Sequence, residues 1–159
     1  MRITLLWVGK TRDGNLKAAI GRYLERIGRY VPVDLVEVKE EAAADRHAEA
    51  GALVKEGRRL REKAPRDHEV ILLDSRGGQM SSEQFADFLE RRMNFVSGSK
   101  RGLTFIIGGH QGVDDKTRRF ADRTLSLSKM TLTHEMARLV LVEQIYRGLS
   151  ILRGARYHR

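Results

Sequence analysis

The chain has 159 residues, a length typical of one domain with a single hydrophobic core, and we predict one domain over residues 1–159. It contains no cysteine, which excludes disulfide bonds and thiolate metal sites. No apolar run approaches the roughly 18 residues of a membrane span, so we expect a soluble, cytoplasmic protein without a membrane partner.

Lys and Arg outnumber Asp and Glu by 30 to 21, which gives a net charge of +9. This excess suits a polyanionic partner such as nucleic acid, because neutralising phosphates releases condensed counterions. A merely basic enzyme would carry similar charge, so composition leaves both possibilities open.

Five short apolar runs have the character of β-strands, at residues 2–8, 33–38, 69–74, 103–108 and 124–128. Apolar residues at helical spacing predict helices at 16–30, 81–96 and 134–152, with a short helix beginning near residue 114. The charged segment 40–63 predicts an exposed helix. Candidate N-caps precede four of these helices: Asp13 or Asn15, Ser81, Asp114 or Asp115, and Thr133. The alternation favours an α/β fold with a mostly parallel sheet and helices on both faces.

The last predicted helix is apolar in nearly every direction around its axis. Such a helix must be covered on more than one side. In a chain this small, the sheet can cover one side and a second copy the other, so we predict a homodimer through this helix. The other possibility is that the helix is sandwiched within one subunit.

Three loop segments follow predicted strands, at 73–79, 108–112 and 128–133. Ligands in open α/β sheets bind at the carboxyl ends of strands, so these segments can face one crevice. The sequence Gly-Gly-His-Gln-Gly at 108–112 matches neither the dinucleotide fingerprint nor a P-loop. A plain strand-to-helix turn would explain its glycines equally well.

Other catalytic patterns are incomplete. A zinc helix beginning at His134 would need a second histidine where Arg138 stands, so no metal site is predicted. A histidine at a helix start is also more often structural than catalytic. Ser126 and Ser128 lack a nucleophile elbow, which leaves acyl transfer unsupported.

The chain ends in Arg-Gly-Ala-Arg-Tyr-His-Arg. Terminal residues are commonly disordered, yet an aromatic ring, an imidazole and guanidinium groups can stack on and hydrogen-bond an unpaired base.

Three motifs, IGGHQG, LSLSKMTLTH and RLVLVEQIYRGLSILRGARYHR, together resemble the RlmH (YbeA-type) family. Its members are SPOUT-class, trefoil-knotted methyltransferases that transfer a methyl group from S-adenosylmethionine to N3 of a pseudouridine in large-subunit ribosomal RNA. The resemblance extends over the whole chain, including the opening RITLLWVGK. Two departures are Thr133, where family members commonly have Pro, and Gly148, where Ala is usual.

The resemblance implies a set of cofactor-binding positions: Leu73, Gly109, Ser128, Lys129, Met130, Thr131, Leu132 and Thr133. Within the glycine segment, Gly109 is expected at the cofactor, whereas Gly108 and Gly112 let the chain turn. The resemblance also implies a threaded C-terminus, a dimer through the last helix, and action on the assembled ribosome.

The family's Tyr-His ending and the distribution of charge suggest Tyr157, His158 and Arg159 around the target base. His134 and Arg138 are expected to shape the pocket or to hold an RNA phosphate. The sequence does not assign the group that helps N3 lose its proton. Two rival functions are a non-enzymatic ribosome-associated factor and a small oxidoreductase, and the latter lacks its glycine loop.

Overall fold

The computed structural model describes residues 1–94 and 100–154, apart from the side chains of residues 46 and 47. Its centre is a five-stranded sheet in the order β2-β1-β4-β3-β5, in which every pair of neighbours is parallel. The strands are β1 Arg2–Val8, β2 Val33–Val38, β3 His68–Gly78, β4 Gly102–Ile107 and β5 Arg123–Leu125.

Helices cover both faces of the sheet, which confirms the predicted α/β class. Helices α1, α3 and α5 pack on one face, and α2 and α4 on the other. Their bounds are α1 Gly14–Gly28, α2 Arg46–Lys63, α3 Ser82–Asn94, α4 Asp115–Phe120 and α5 His134–Leu152.

Local capping chemistry fixes where the helices begin. Asp13 caps α1, Asp114 caps α4 and Thr133 caps α5, each through a side-chain oxygen that accepts backbone N–H groups of the first turn. The predicted capping box at Ser81 is also present: Ser81 N–H donates to Gln84 Oε1 at 2.8 Å, and Gln84 N–H donates to Ser81 Oγ at 3.2 Å.

The third strand is longer than predicted. Residues 75–78, which we expected to form a glycine loop, continue β3, and the pairing with β5 shifts register between Leu73 and Gly78. Gly77 permits this, because a Cβ there would lie only 2.7 Å from the Leu125 backbone. The fifth strand is shorter than predicted and ends at Leu125. Directly after it, Ser126 N–H donates to Gly78 O and the Ser126 hydroxyl donates to Ser128 O.

The prediction of an exposed helix at 40–63 was wrong in two respects: α2 begins only at residue 46, and one of its sides is buried. Leu60 and Glu56 are buried, and Gly57 lies directly against the side chain of Asp114, the N-cap of α4. The sequence pattern did not indicate this contact, because α2 is mostly charged and a single Leu and a Gly supply most of its packing surface.

Helix α5 is covered mostly by its own chain, between α1 and α3. The Tyr146 ring meets Tyr23 and Tyr30 of the α1 side. On the other side, Gly148 allows close approach to α3, since a Cβ there would lie 2.9 Å from Leu89 Cδ1. The apolar residues that suggested a partner chain are therefore largely accounted for within one subunit.

The segment 126–133 carries the chain from β5, at one edge of the sheet, to α5, which begins near the end of β1. It passes over the carboxyl ends of β3 and β4 on the way. The knot that the family resemblance implies stays a prediction. Among the helices of residues 1–94 and 100–154, none is long and apolar enough to cross a membrane.

The contact between α2 and α4 gives a matched pair of substitutions. In Gly57→Ala the new Cβ would lie 2.1 Å from Asp114 Oδ1, so we expect the free energy of unfolding to fall by about 1–3 kcal/mol. Gly51→Ala, in the same helix with no atom within 4 Å of its Cβ position, should raise it by up to about 1 kcal/mol. Urea denaturation measures both, and equal effects would contradict the assigned packing.

Candidate active site

A cavity of about 690 Å³ opens at the carboxyl edge of the sheet, where β3, β4 and β5 end. Residues of all three predicted segments line it, although 75–78 continue β3 instead of forming a loop, so the expected shared crevice is present. Lining residues come from 73–76, 107–112 and 125–134, with Arg118 of α4 and Ala137 of α5. We call this space the main cavity.

The glycine turn after β4 forms one wall. Gly112 N–H donates to Gly109 O at 3.0 Å, and Gly112 has a φ of +80°, a left-handed conformation that favours glycine. A Cβ on Gly108 would lie 2.3 Å from Gly112 O, whereas a Cβ on Gly109 would find its nearest neighbours, in Glu56 and Val8, at 3.5 Å. Gly108 and Gly112 are thus required by the turn itself, in agreement with the expectation, while Gly109 is free to serve the cavity.

The opposite wall is the segment 126–133, held by its own serines. The Ser126 hydroxyl donates to Ser128 O at 2.8 Å, and Met130 N–H donates to Ser128 Oγ at 2.9 Å. Thr133 then caps α5 by accepting from Met136 N–H. These bonds fix a tight path whose backbone N–H and C=O groups can face a ligand.

The structure brings together seven of the eight predicted cofactor positions around the main cavity: Leu73, Gly109, Ser128, Met130, Thr131, Leu132 and Thr133. The eighth, Lys129, is exposed, and it is absent from the cavity lining.

Sequence reasoning missed a charged cluster on the cavity wall. Asp74 accepts hydrogen bonds from the guanidinium groups of Arg76 and Arg118, and these bonds hold the pKa of the Asp74 carboxyl far below its usual range. Two cations on one carboxylate leave one positive charge uncompensated among these three residues. The sequence feature that could have indicated this cluster is Arg118, which lies one turn into the helix that follows the glycine turn.

Arg138 does not lie on the cavity surface. Its side chain is fully buried, and its guanidinium donates to Val8 O and to Thr11 Oγ1 and lies over the Trp7 ring. Burial lowers the pKa of Arg138. A buried guanidinium bonded to the end of β1 cannot hold an RNA phosphate in this arrangement, so the role it retains is to position the start of α5.

His134 lies at the wall between the main cavity and a second cavity of about 510 Å³ over the ends of β1 and β2. The predicted residues Tyr157, His158 and Arg159 lie outside the described residues. Within the described part of the chain, no group of three or more His, Asp or Glu side chains could hold a metal ion.

A family model described as "Predicted SPOUT methyltransferase" matches residues 1–158. The chain therefore belongs to the SPOUT methyltransferase family. Its relatives include proteins named "Ribosomal RNA large subunit methyltransferase H": that of Syntrophotalea carbinolica is 48% identical and that of Geotalea daltonii 43% identical, each over 158 residues and 99% of both chains. The family resemblance inferred from the motifs is confirmed.

Solved structures agree on the fold. A probable methyltransferase from Bordetella pertussis superposes with a TM-score of 0.59 at 15% identity, over 93% of this chain and 94% of that one. A probable methylase family protein from Haemophilus influenzae gives a TM-score of 0.56 at 12% identity, over 99% of this chain and 70% of that one. At such identities the likeness concerns the fold alone.

The buried Arg138 provides a stability test of its positioning role. Arg138→Lys replaces a guanidinium that donates from two nitrogens by a single ammonium group, so either Val8 O or Thr11 Oγ1 loses its hydrogen-bond partner. We expect the free energy of unfolding to fall by about 1–3 kcal/mol in urea denaturation. The control Arg119→Lys, at an exposed position of α4, should change it by less than about 0.5 kcal/mol. An Arg138→Lys variant with an unchanged free energy of unfolding would contradict this role.

Proposed function

We propose that this chain uses S-adenosylmethionine to methylate N3 of a pseudouridine in large-subunit ribosomal RNA. The observation that carries the proposal is the main cavity itself: a backbone-walled crevice at the carboxyl edge of a parallel sheet, in a chain of the SPOUT methyltransferase family. Relatives at 43–48% identity over nearly their whole length bear the name of a ribosomal RNA large subunit methyltransferase.

The residues of the main cavity fit this cofactor. Its volume of about 690 Å³ lies in the range typical of small-molecule sites. Apolar side chains such as Leu73, Leu127 and Leu132 would cover the adenine ring, and backbone groups of 126–133 would be available to its polar edge. Arg76 and Arg118 carry two positive charges beside the single negative charge of Asp74, and Asp115 also acts on Arg76. These two guanidinium groups are the ones that would face the carboxylate of the methionyl part.

For this methyl transfer, the main requirement on the protein is to align the cofactor and the target base. When bound, the sulfonium supplies a methyl group that is already activated for transfer. The chain's own tasks are to hold the target N3 in line with that methyl group and to help N3 lose its proton. The two backbone walls at 108–112 and 126–133 suit the first task, because their own hydrogen bonds hold them in one place.

The proposed substrate is ribosomal RNA within the ribosome, and the net charge of +9 supports a polyanionic partner. We also propose a homodimer through α5, supported by the apolar residues of this helix that its own chain leaves exposed or only partly buried: Met136, Val140 and Ile151. A molecular mass of two chains in light scattering would be expected. Residence in the cytoplasm follows from the proposed substrate.

The direct experiment has two arms. Calorimetric titration with S-adenosylmethionine should show saturable binding, and mass spectrometry of ribosomal RNA from cells lacking this chain should show loss of the N3-methyl group on one pseudouridine. Binding of the cofactor without any change in the RNA would exclude the substrate assignment. Failure to bind the cofactor would favour a non-enzymatic ribosome-associated factor.

Deletion of the C-terminal tail is expected to affect methyl transfer but not cofactor binding. Deletion of residues 155–159 should abolish methylation of ribosomes, since Tyr157, His158 and Arg159 are the groups we propose around the target base. Affinity for S-adenosylmethionine should stay nearly intact, because the described residues that line the main cavity all precede the tail. Titration and a tritium-transfer assay on the same preparation measure both, and equal loss of the two would refute this division of labour.

A further inference from the structure

The second cavity adjoins the main cavity and shares two imidazole side chains with it, those of His110 and His134. It differs from the main cavity in its charge. Lys10, Arg12 and Glu40 line it, together with Glu135. A ligand in the second cavity would therefore meet a ligand of the main cavity at these two imidazoles, within a strongly polar surrounding.

The two imidazoles have different surroundings. His110 is 63% exposed, and its Nδ1 lies 3.9 Å from the Glu40 carboxylate. His134 is half-buried at the first position of α5, and no hydrogen bond joins its ring to any side chain or backbone group that the structure describes. The His134 ring nitrogens are thus free to exchange a proton with a ligand, whereas His110 already has an anionic neighbour.

The electrostatic surroundings of His134 favour its neutral form. Burial lowers the pKa of His134, and the positive charge of Arg138 on the same helix acts in the same direction. Glu135 on that helix and Glu40 after β2 oppose this, and His110 after β4 adds to it. The net pKa of His134 is lowered, so its imidazole can accept a proton at neutral pH.

We propose that the second cavity receives the uracil ring of the target nucleotide and that His134, at its shared wall, takes the proton from N3. This inference rests on the proposed function and assigns the base that the sequence left open. Arg12 pairs with the Glu40 carboxylate at 2.7 Å, yet 81% of its side chain is exposed at the cavity rim. Lys10 beside it is exposed as well. These cations suit the phosphates that flank a base entering the cavity.

The step balances within the groups named. The N3–H proton moves to the free ring nitrogen of His134, and the N3 electron pair forms the bond to the methyl carbon as the carbon–sulfur bond breaks with its electrons on sulfur. The products are the N3-methyl base, the neutral thioether and a protonated His134, which returns its proton to water through the open second cavity.

Chemical rescue tests the role of His134. At saturating cofactor, His134→Ala should lower the rate of methyl transfer to ribosomes about 10²–10⁴-fold, and added imidazole should restore part of it. His134→Gln should be equally slow but not rescued, because its side chain fills the space. His158→Ala serves as the matched variant, slow and not rescued. Retained activity in His134→Ala, or rescue of His158→Ala instead, would overturn the proposal.

The pH profile gives an independent reading. The wild-type rate should fall as the pH drops below the lowered pKa of His134, because the protonated imidazole cannot accept the N3 proton. In His134→Ala with imidazole, the fall should move to the pKa of free imidazole. An unchanged profile would overturn the assignment of the base.

Binding to the second cavity can be followed without turnover. In NMR spectra of the protein with labelled histidines, millimolar pseudouridine 5′-monophosphate should shift the signals of His134 and His110, and leave those of the buried His68 unchanged.

Lys10→Met should raise the KM for ribosomes without changing kcat, whereas Lys63→Met, at the exposed end of α2, should change neither. Absence of the NMR shift would overturn the placement of the base. If the wild-type chain itself transfers no methyl group to ribosomes, the proposed function fails rather than this assignment.

Discussion

The attachment of α5 to the end of β1 is the constraint on which the rest of the site depends. The buried Arg138 guanidinium makes this attachment by donating to Val8 O and Thr11 Oγ1. Because β5 lies at the opposite side of the sheet, beyond β3, the segment 126–133 has to cross the carboxyl ends of β3 and β4 to reach the start of α5. That crossing supplies one wall of the main cavity and brings His134 to the boundary between the two cavities.

The site divides into a part built from backbone and a part built from charge. The turns at 108–112 and 126–133 are held by their own hydrogen bonds, so their polar backbone groups are presented in a fixed geometry. Asp74 keeps two guanidinium groups at one end of the main cavity, while the second cavity combines acidic, basic and imidazole side chains. Such a division suits a reaction in which one ligand must be held rigidly and the other must give up a proton.

Much of the architecture could be predicted from local patterns. Five strands, five helices and the cap at Thr133 could be predicted from short-range periodicity and side-chain chemistry, which act over a few residues. For two further caps the sequence left a choice, Asp13 or Asn15 and Asp114 or Asp115, and the first of each pair is the cap in the structure. The errors lay where contacts distant in sequence decide: Gly77 continues a strand because the β5 backbone lies against it, and α2 is buried on one side because Gly57 meets α4. Neither contact leaves a periodic signal.

The sequence by itself determined the fold class, the family and most of the residues that line the main cavity, because motifs and apolar spacing are local properties of the chain. Only the tertiary structure decided how the single residues are used. In the folded chain Arg138 is buried and holds α5 to the end of β1. Arg118 pairs with Asp74 across 44 positions of sequence, and His134 lies between two cavities. The physical reason is that burial and charge pairing are properties of the space around a side chain, and that space is formed by elements far away in the sequence.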